Sequence, residues 1–313
     1  MLSGVLATVP SLAASLTAAG VHVVEVPDGG SSRHQLDTLV IGGGVCGVEL
    51  LDRIDGLDLL VRAGTGLDLV DLDAAGERGI TVTNTPGYAT DEVADHALLL
   101  LLASVRRLHH FERAAQDNWF AVRPEGVPRL AGRTLRLVGL GRIGRAMARR
   151  GRALGMPVIA CDPGVDEATF RRADAEQVSW ATLLNESDVI SLHLPLTPTT
   201  HRIVDAAALT AMRPSAALIN TASGALVDHD ALLDALDSGH LAAAGLDVVE
   251  DEPRPPRRLL THDRIVVTPH VGWYSEGART AMGEIAARTV LAGPSAVSAQ
   301  VHDLPLTSRG TDA

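Results

Sequence analysis

Residues 134–162 read TLRLVGLGRIGRAMARRGRALGMPVIACD. An apolar run leads into Gly139, Gly141 and Gly144, which stand at G-x-G-x-x-G spacing, and a helical pattern follows. The next apolar run, PVIACD, closes on Asp162, 18 residues after Gly144. Strand, glycine turn, helix and an acid at the end of the second strand make up the complete dinucleotide fingerprint. The glycines allow a tight turn and close approach of backbone amides, and the helix N-terminus faces the pyrophosphate. Asp162 is placed to receive a ribose hydroxyl and to repel a 2′-phosphate, which favours NAD over NADP. The plainer alternative is a glycine-tolerant turn that binds nothing.

Outward from this stretch the chain keeps one rhythm. Downstream, VISLHL, ALINTA, AAGLDVV and IVVTPH read as strands, and VSWATLLNES, DAAALTAM and DHDALLDALDSGHL read as helices. Such alternation predicts an α/β fold with a parallel, doubly wound sheet and right-handed crossovers. Upstream, strands are expected at Gly4–Thr8, Val21–Val26, Thr38–Ile41 and Leu57–Arg62. A helix is expected from Thr90 to about Leu108, with acids in its first turn, then a polar arm from His109 to Pro128. A last helix, Glu276–Leu291, precedes a polar tail expected to be loose.

A second G-x-G-x-x-G lies at Gly42, Gly44 and Gly47, within VIGGGVCG at 40–47. Its next strand, LDLLV, ends in Arg62 rather than an acid. An NADP site is the weaker reading. A tight loop that holds no dinucleotide is preferred.

The 313 residues fit two domains. Hydrophobic residues are 46% and aromatics 3%, so Val, Leu and Ala must fill the cores. The net charge is −11 and no Arg-dense, aromatic-interleaved stretch exists, which argues against nucleic acid as a partner. All 27 basic residues are Arg. Lysine chemistry, from Schiff bases to P-loops, is therefore excluded. Cys46 and Cys161 have no metal-ligand spacing and fit reduced thiols, so no metal site and a cytoplasmic location are expected. The apolar start lacks a positive n-region, and the run Ala97–Val105 is too short to span a bilayer.

Over nearly its whole length the chain resembles the D-isomer-specific 2-hydroxyacid dehydrogenases. The matching motifs are RAGTGLD (62–68), GITVTNTPGY (79–88), VADH (93–96), GLGRIG (139–144), HLPLTPTT (193–200), INTASGALVD (219–228), GLDVVEDEP (245–253) and TPHVGWYSE (268–276). The first is most like 3-phosphoglycerate dehydrogenases, and the last is most like relatives of the C-terminal-binding-protein co-repressors. The resemblance implies an NAD-binding Rossmann domain, 99–279, inserted into a split flavodoxin-like substrate domain, 1–98 and 280–313. It also implies a homodimer and a small acidic substrate.

It further implies that His270 is the acid–base group and Glu252 its carboxylate partner. An ordinary imidazole has a pKa near ~6.5, so it exchanges protons near neutrality. The cofactor is expected to lie along Gly139, Gly141, Arg142, Ile143, Gly144, Asp162, His193, Pro195, Thr200, Thr221, Ala222, Asp247 and Gly272. Asp247 would sit near the nicotinamide amide. Thr200 would reach the pyrophosphate or cap a helix. Arg62, Gly64, Thr65 and Trp273 are expected to face the substrate; the lesser alternatives are a solvated surface for Arg62 and a packed domain junction for Trp273. One departure stands out. Where the family carries N-x-A-R-G, this chain reads Asn220-Thr221-Ala222-Ser223-Gly224. A hydroxyl replaces the guanidinium that grips a carboxylate in a two-pronged contact. The expected activity is the NAD(H)-dependent interconversion of a small 2-keto acid, or a phospho or phosphono analogue, and its D-2-hydroxy acid. The alternatives are an NAD-binding regulator of co-repressor type and a different reaction on the same scaffold.

Overall fold

The computed structural model describes residues 5–7, 13, 16–18, 21–24, 33–42, 44–117, 119–120 and 126–298. It divides into two compact units, 1–88 with 275–313 and 89–274. The expected strand ends at Gly4, Thr8, Glu25 and Val26, parts of the 109–128 arm and the terminal tail lie outside the described residues.

In the first unit the strands are β1 (Val5–Ala7), β2 (Val23–Val24), β3 (His34–Gln35), β4 (Thr38–Ile41), β5 (Ile54–Asp55), β6 (Leu59–Arg62) and β7 (Thr81–Asn84). The main sheet runs β2-β1-β4-β6-β7 with every pair parallel, and β3 pairs with β5 beside it. Counted within the main sheet, the order is 2-1-3-4-5, that of flavodoxin. Leu39, Leu60, Ile41, Leu51 and Ala75 pack its core. Helix Glu276–Ser298 returns to β6 and β7, which is why the C-terminal segment belongs here. It runs beyond the expected Leu291, with a kink where Gly293 takes φ 73° ahead of Pro294.

In the second unit β8 (Leu135–Val138), β9 (Val158–Cys161), β10 (Glu176–Gln177), β11 (Val189–Leu192), β12 (Ala217–Asn220), β13 (Ala243–Leu246) and β14 (Ile265–Val267) form one sheet in the order β10-β9-β8-β11-β12-β13-β14. All pairs are parallel. The order is that of a Rossmann sheet with one added strand, and it reverses between β8 and β11, where such folds bind their ligand. The central strands read as unbroken apolar runs because helices cover both faces. One exception is Arg136 in β8, 2% exposed, whose guanidinium donates to the carbonyls of Thr182 and Glu186 and to the Glu186 carboxylate.

Helix Thr90–Val105 belongs wholly to this unit, although the sequence reading puts a domain boundary inside it at 98/99. The reason is packing. Gly245 of β13 has no side chain, so Leu100 Cβ lies 2.9 Å from where a Cβ would be, and Ser104 donates to the Ala244 carbonyl at 3.1 Å. Asp91 and Asp95 also pair with Arg150 of helix Arg142–Ala153. Ala89 is the N-cap residue, and Asp91 and Glu92 occupy the first turn. The expected polar arm begins with a helix, Leu108–Asp117. Among the described residues no helix is long and apolar enough to cross a membrane.

Candidate active site

The loops after β8 and β11 meet at the point where the strand order reverses. Gly139 has φ 93°, and a Cβ there would overlap the His193 carbonyl. A Cβ on Gly144 would overlap the Gly139 carbonyl, so the helix can start this close to the strand only with glycine at 144. Gly141 caps helix Arg142–Ala153, and a Cβ there would meet nothing within 4 Å. Its open side leaves the first-turn amides of Arg142 and Ile143 available to an anion. Asp162, just beyond β9, accepts from Leu140 N at 2.7 Å and Gly164 N at 2.8 Å. Each oxygen keeps a lone pair for a hydroxyl.

His193 follows β11. Desolvation pushes its imidazole down to about 4, so the ring is neutral at pH 7, and the residue is half-buried. Its Nε2 shares a hydrogen bond with Ser191 Oγ at 2.9 Å. Pro195 is exposed. Thr200 Oγ1 donates to the Pro195 carbonyl at 2.8 Å and accepts from Thr197 N at 2.7 Å, closing the turn; no helix starts there. Beyond β12, Ala222 N donates to Asn220 Oδ1 at 3.0 Å. Thr221 Oγ1 is buried with no hydrogen-bond partner among the described residues. An orphaned hydroxyl, an open helix N-terminus and an acid at the strand end suit a dinucleotide along this edge.

The loops after β13 and β14 carry the titratable pair. His270 Nδ1 lies 2.8 Å from Glu252 Oε2, with the His side chain 53% exposed. Glu252 Oε1 accepts from Val249 N at 3.0 Å. Burial alone would raise the Glu252 carboxyl, but the bonds from His270 and Val249 hold it below the ordinary value. With Nδ1 engaged, Nε2 is the nitrogen left to a substrate. Ser223 lies in the loop before the turn Gly224–Leu226, and its hydroxyl makes no hydrogen bond among the described residues. Gly224 fixes that loop against the Val249–Glu250 backbone, which a Cβ would overlap.

Asp247 is 3% exposed. Its carboxylate accepts from Thr268 Oγ1 at 2.6 Å, Val271 N at 3.0 Å and Gly272 N at 2.8 Å, and lies 3.2 Å from His96 Nε2. Burial acts to raise it, yet these donors hold it below the usual carboxylate range. His96, present in the VADH motif, is not among the site residues expected from the sequence. A lone His on a Leu-rich helix gives no sequence signal of partners 172 residues away.

Of the remaining expected residues, Arg62, Gly64 and Thr65 belong to the first unit and Trp273 to the second. Arg62, at the end of β6, turns its guanidinium back on the carbonyls of Gly42 and Ala63, over Gly64. Burial lowers its pKa, with Tyr88 and Asp68 opposing. Gly64 N donates to Thr85 Oγ1 at 2.8 Å, and Asn84 Nδ2 donates to the Thr65 carbonyl at 2.7 Å. Trp273 is half-buried and meets the Tyr274 ring edge-on at 5.5 Å.

Fold and glycine edge together define a dinucleotide-binding protein. The chain belongs to the D-isomer-specific 2-hydroxyacid dehydrogenase family, whose NAD-binding-domain profile matches residues 98–272. It is 40% identical to the glyoxylate reductase of Thermococcus litoralis over 252 residues, which are 78% of this chain and 76% of that one. It is 40% identical to the D-3-phosphoglycerate dehydrogenase of Mycobacterium leprae over 242 residues, 77% of this chain but 46% of that protein, so it spans about half the length of that relative. The solved structure of D-lactate dehydrogenase from Aquifex aeolicus, complexed with NAD and lactic acid, is similar at TM-score 0.83 and 28% identity, covering 96% of this chain and 97% of that one.

Proposed function

We propose that the protein reduces a small 2-keto acid, or a phospho or phosphono analogue, to the D-2-hydroxy acid with NADH. The observation that carries this reading is the exposed His270 imidazole held 2.8 Å from Glu252. NADH, when bound, supplies the hydride to the keto carbon. His270 Nε2 gives its proton to the keto oxygen, and Glu252 favours the imidazolium that makes this possible and fixes its tautomer. Gly139, Gly141, Arg142, Ile143, Gly144, Asp162, His193, Pro195, Thr200, Thr221, Ala222 and Gly272 are the proposed cofactor residues. For Asp247 we favour holding the 268–272 loop, since its carboxylate is already bonded within the protein. Residues 1–88 with the C-terminal segment are proposed as the substrate domain, where Arg62, Gly64 and Thr65, with Trp273, receive the acidic end. A homodimer in the cytoplasm, with no nucleic acid partner, completes the proposal.

Ser223 favours a second reading, an NAD-binding regulator with vestigial catalysis. Losing a charge-assisted contact costs about 1.5–3 kcal/mol, and losing a transition-state donor costs about 10²–10³ in rate. An NADH-oxidation assay over glyoxylate, pyruvate, hydroxypyruvate, phenylpyruvate and phosphonopyruvate separates the two. Turnover abolished by His270→Asn supports the enzyme; tight NADH binding without turnover supports the regulator. Ser223→Arg sharpens the result. A rise in turnover of ordinary 2-keto acids means the site merely lost its Arg, and a fall means Ser223 serves the native substrate.

A further inference from the structure

The geometry points to His96 as a positioning residue: through Thr268 and the buried carboxylate of Asp247, it fixes the loop from which His270 projects. The inference rests on His270 being the proton donor, as proposed above.

The direction of each hydrogen bond follows from the donors available. Thr268 Oγ1 lies 2.6 Å from Asp247 Oδ1 and 2.8 Å from His96 Nε2. An ionised carboxylate only accepts, so the single hydroxyl proton of Thr268 goes to Asp247. The Thr268 oxygen must then accept from His96, which fixes the proton on Nε2. The result is a closed triangle: the His96 N–H meets Thr268 Oγ1 and also lies 3.2 Å from Asp247 Oδ1, while the Thr268 hydroxyl donates to the same carboxylate, so each bond polarises the next. His96 is 13% exposed and Asp247 3%, so water is a poor substitute for a lost partner.

Asp247 in turn organises the loop. Its side chain takes the amides of Val271 and Gly272, and its backbone carbonyl takes the amide of His270 at 2.8 Å. There is no slack, because a Cβ on Gly272 would sit 2.7 Å from Asp247 Oδ2 and 3.2 Å from His96 Cδ2. His270 itself has φ 54°, in the left-handed region. A non-glycine residue stays there only when its surroundings over-determine it. Asp247 and Thr268 lie on the loops themselves, whereas His96 comes from the middle of helix Thr90–Val105 and anchors them to a rigid element. Its side-chain partners are Thr268 and Asp247, so the role assigned to it is exerted through the loop. If the triangle is broken, the His270 backbone relaxes and the ring leaves Glu252.

Gln and Met test this in the full-length chain, being close in shape and differing in the N–H. With the best keto acid of the screen, His96→Met is expected to lower kcat about 10- to 100-fold, because small misplacements far from the chemistry cost that much. KM for NADH should stay within about two-fold, since uniform binding is untouched. His96→Gln should recover most of the rate. A second readout needs neither turnover nor cofactor: the NMR titration of the His270 ring, assigned by its absence in His270→Asn. In His96→Met its midpoint should move toward that of a free imidazole, and in His96→Gln it should not. Equal losses in both variants, or an unmoved His270 titration in His96→Met, would overturn the proposal. Should His96→Met not fold, Thr268→Val against Thr268→Ser removes the hydroxyl link and leaves His96 its direct 3.2 Å reach to Asp247, so a smaller loss in the same direction is expected and no loss would overturn the proposal. Wild-type turnover in His270→Asn would instead sink the proposed function, while the ring titration still decides on His96.

Discussion

Two loops in this molecule carry the same glycine spacing, and the neighbours they pack against are different. After β8, the missing side chains of Gly139 and Gly144 are spaces filled by the carbonyls of His193 and of Gly139 itself. A 12-residue helix follows, and Asp162 ties the loop from the adjacent strand. After β4, a Cβ on Gly44 would meet nothing within 4 Å, one on Gly47 only Val45 at 4.0 Å, and the helix that follows has four residues. Glycine after β8 is a steric requirement. After β4 it serves mainly the positive φ of Gly44. A spacing pattern becomes a binding site only where the surrounding fold has moved into the room the glycines leave.

The contrast is open to attack by substitution. The largest effect is expected from Gly139→Ala. Overpacking against backbone costs roughly 1–3 kcal/mol, and the φ of 93° adds strain. Guanidinium unfolding should show that loss, and NADH binding should disappear; a stable, NADH-binding variant would break the comparison. Gly144→Ala should follow closely, since its obstacle is also a backbone carbonyl. Asp162→Ala is expected to be milder. It removes the acceptor for Leu140 N and Gly164 N, at roughly 0.5–1.5 kcal/mol per bond, and should narrow the preference for NADH over NADPH in titrations. Gly47→Ala should be smallest, within about 1 kcal/mol in the same unfolding assay, because a methyl fits and only N-cap preference is lost.

A related test concerns acid. Asp247 is held below the ordinary carboxylate value in the folded protein, so its contribution is present above that value and lost as pH falls through the lowered one. The stability gap between wild type and Asp247→Asn should therefore be full at pH 7 and shrink below about pH 4.

Much of this is legible in the chain. The runs TLRLVGL, PVIACD, VISLHL and ALINTA announce buried parallel strands because both faces are apolar, and Asp162 marks which glycine loop matters. Helix Leu108–Asp117 has Leu108, Phe111, Ala114 and Ala115 at helical spacing, but six polar residues among its ten make the stretch read as a polar arm, and it buries none of its residues. The two-residue strands β3, β5 and β10 are too short to show a period. Arg136 inside β8 runs against the pattern and is explained only by the Thr182 and Glu186 carbonyls that meet it. His270 and Glu252 are readable from their motifs. The turning of Arg62 onto Gly42, and the link from His96 to Thr268, depend on contacts between distant segments that no local spacing encodes.

The seat of Ser223 has a consequence for how such a protein changes its trade. Because Gly224 leaves no gap between its own backbone and that of Val249 and Glu250, the mount beneath position 223 is rigid whatever side chain it bears. A hydroxyl can stand where a guanidinium would, and the reverse, with the scaffold unmoved. Ser223→Arg should therefore alter what the loop presents while leaving the unfolding midpoint nearly unchanged.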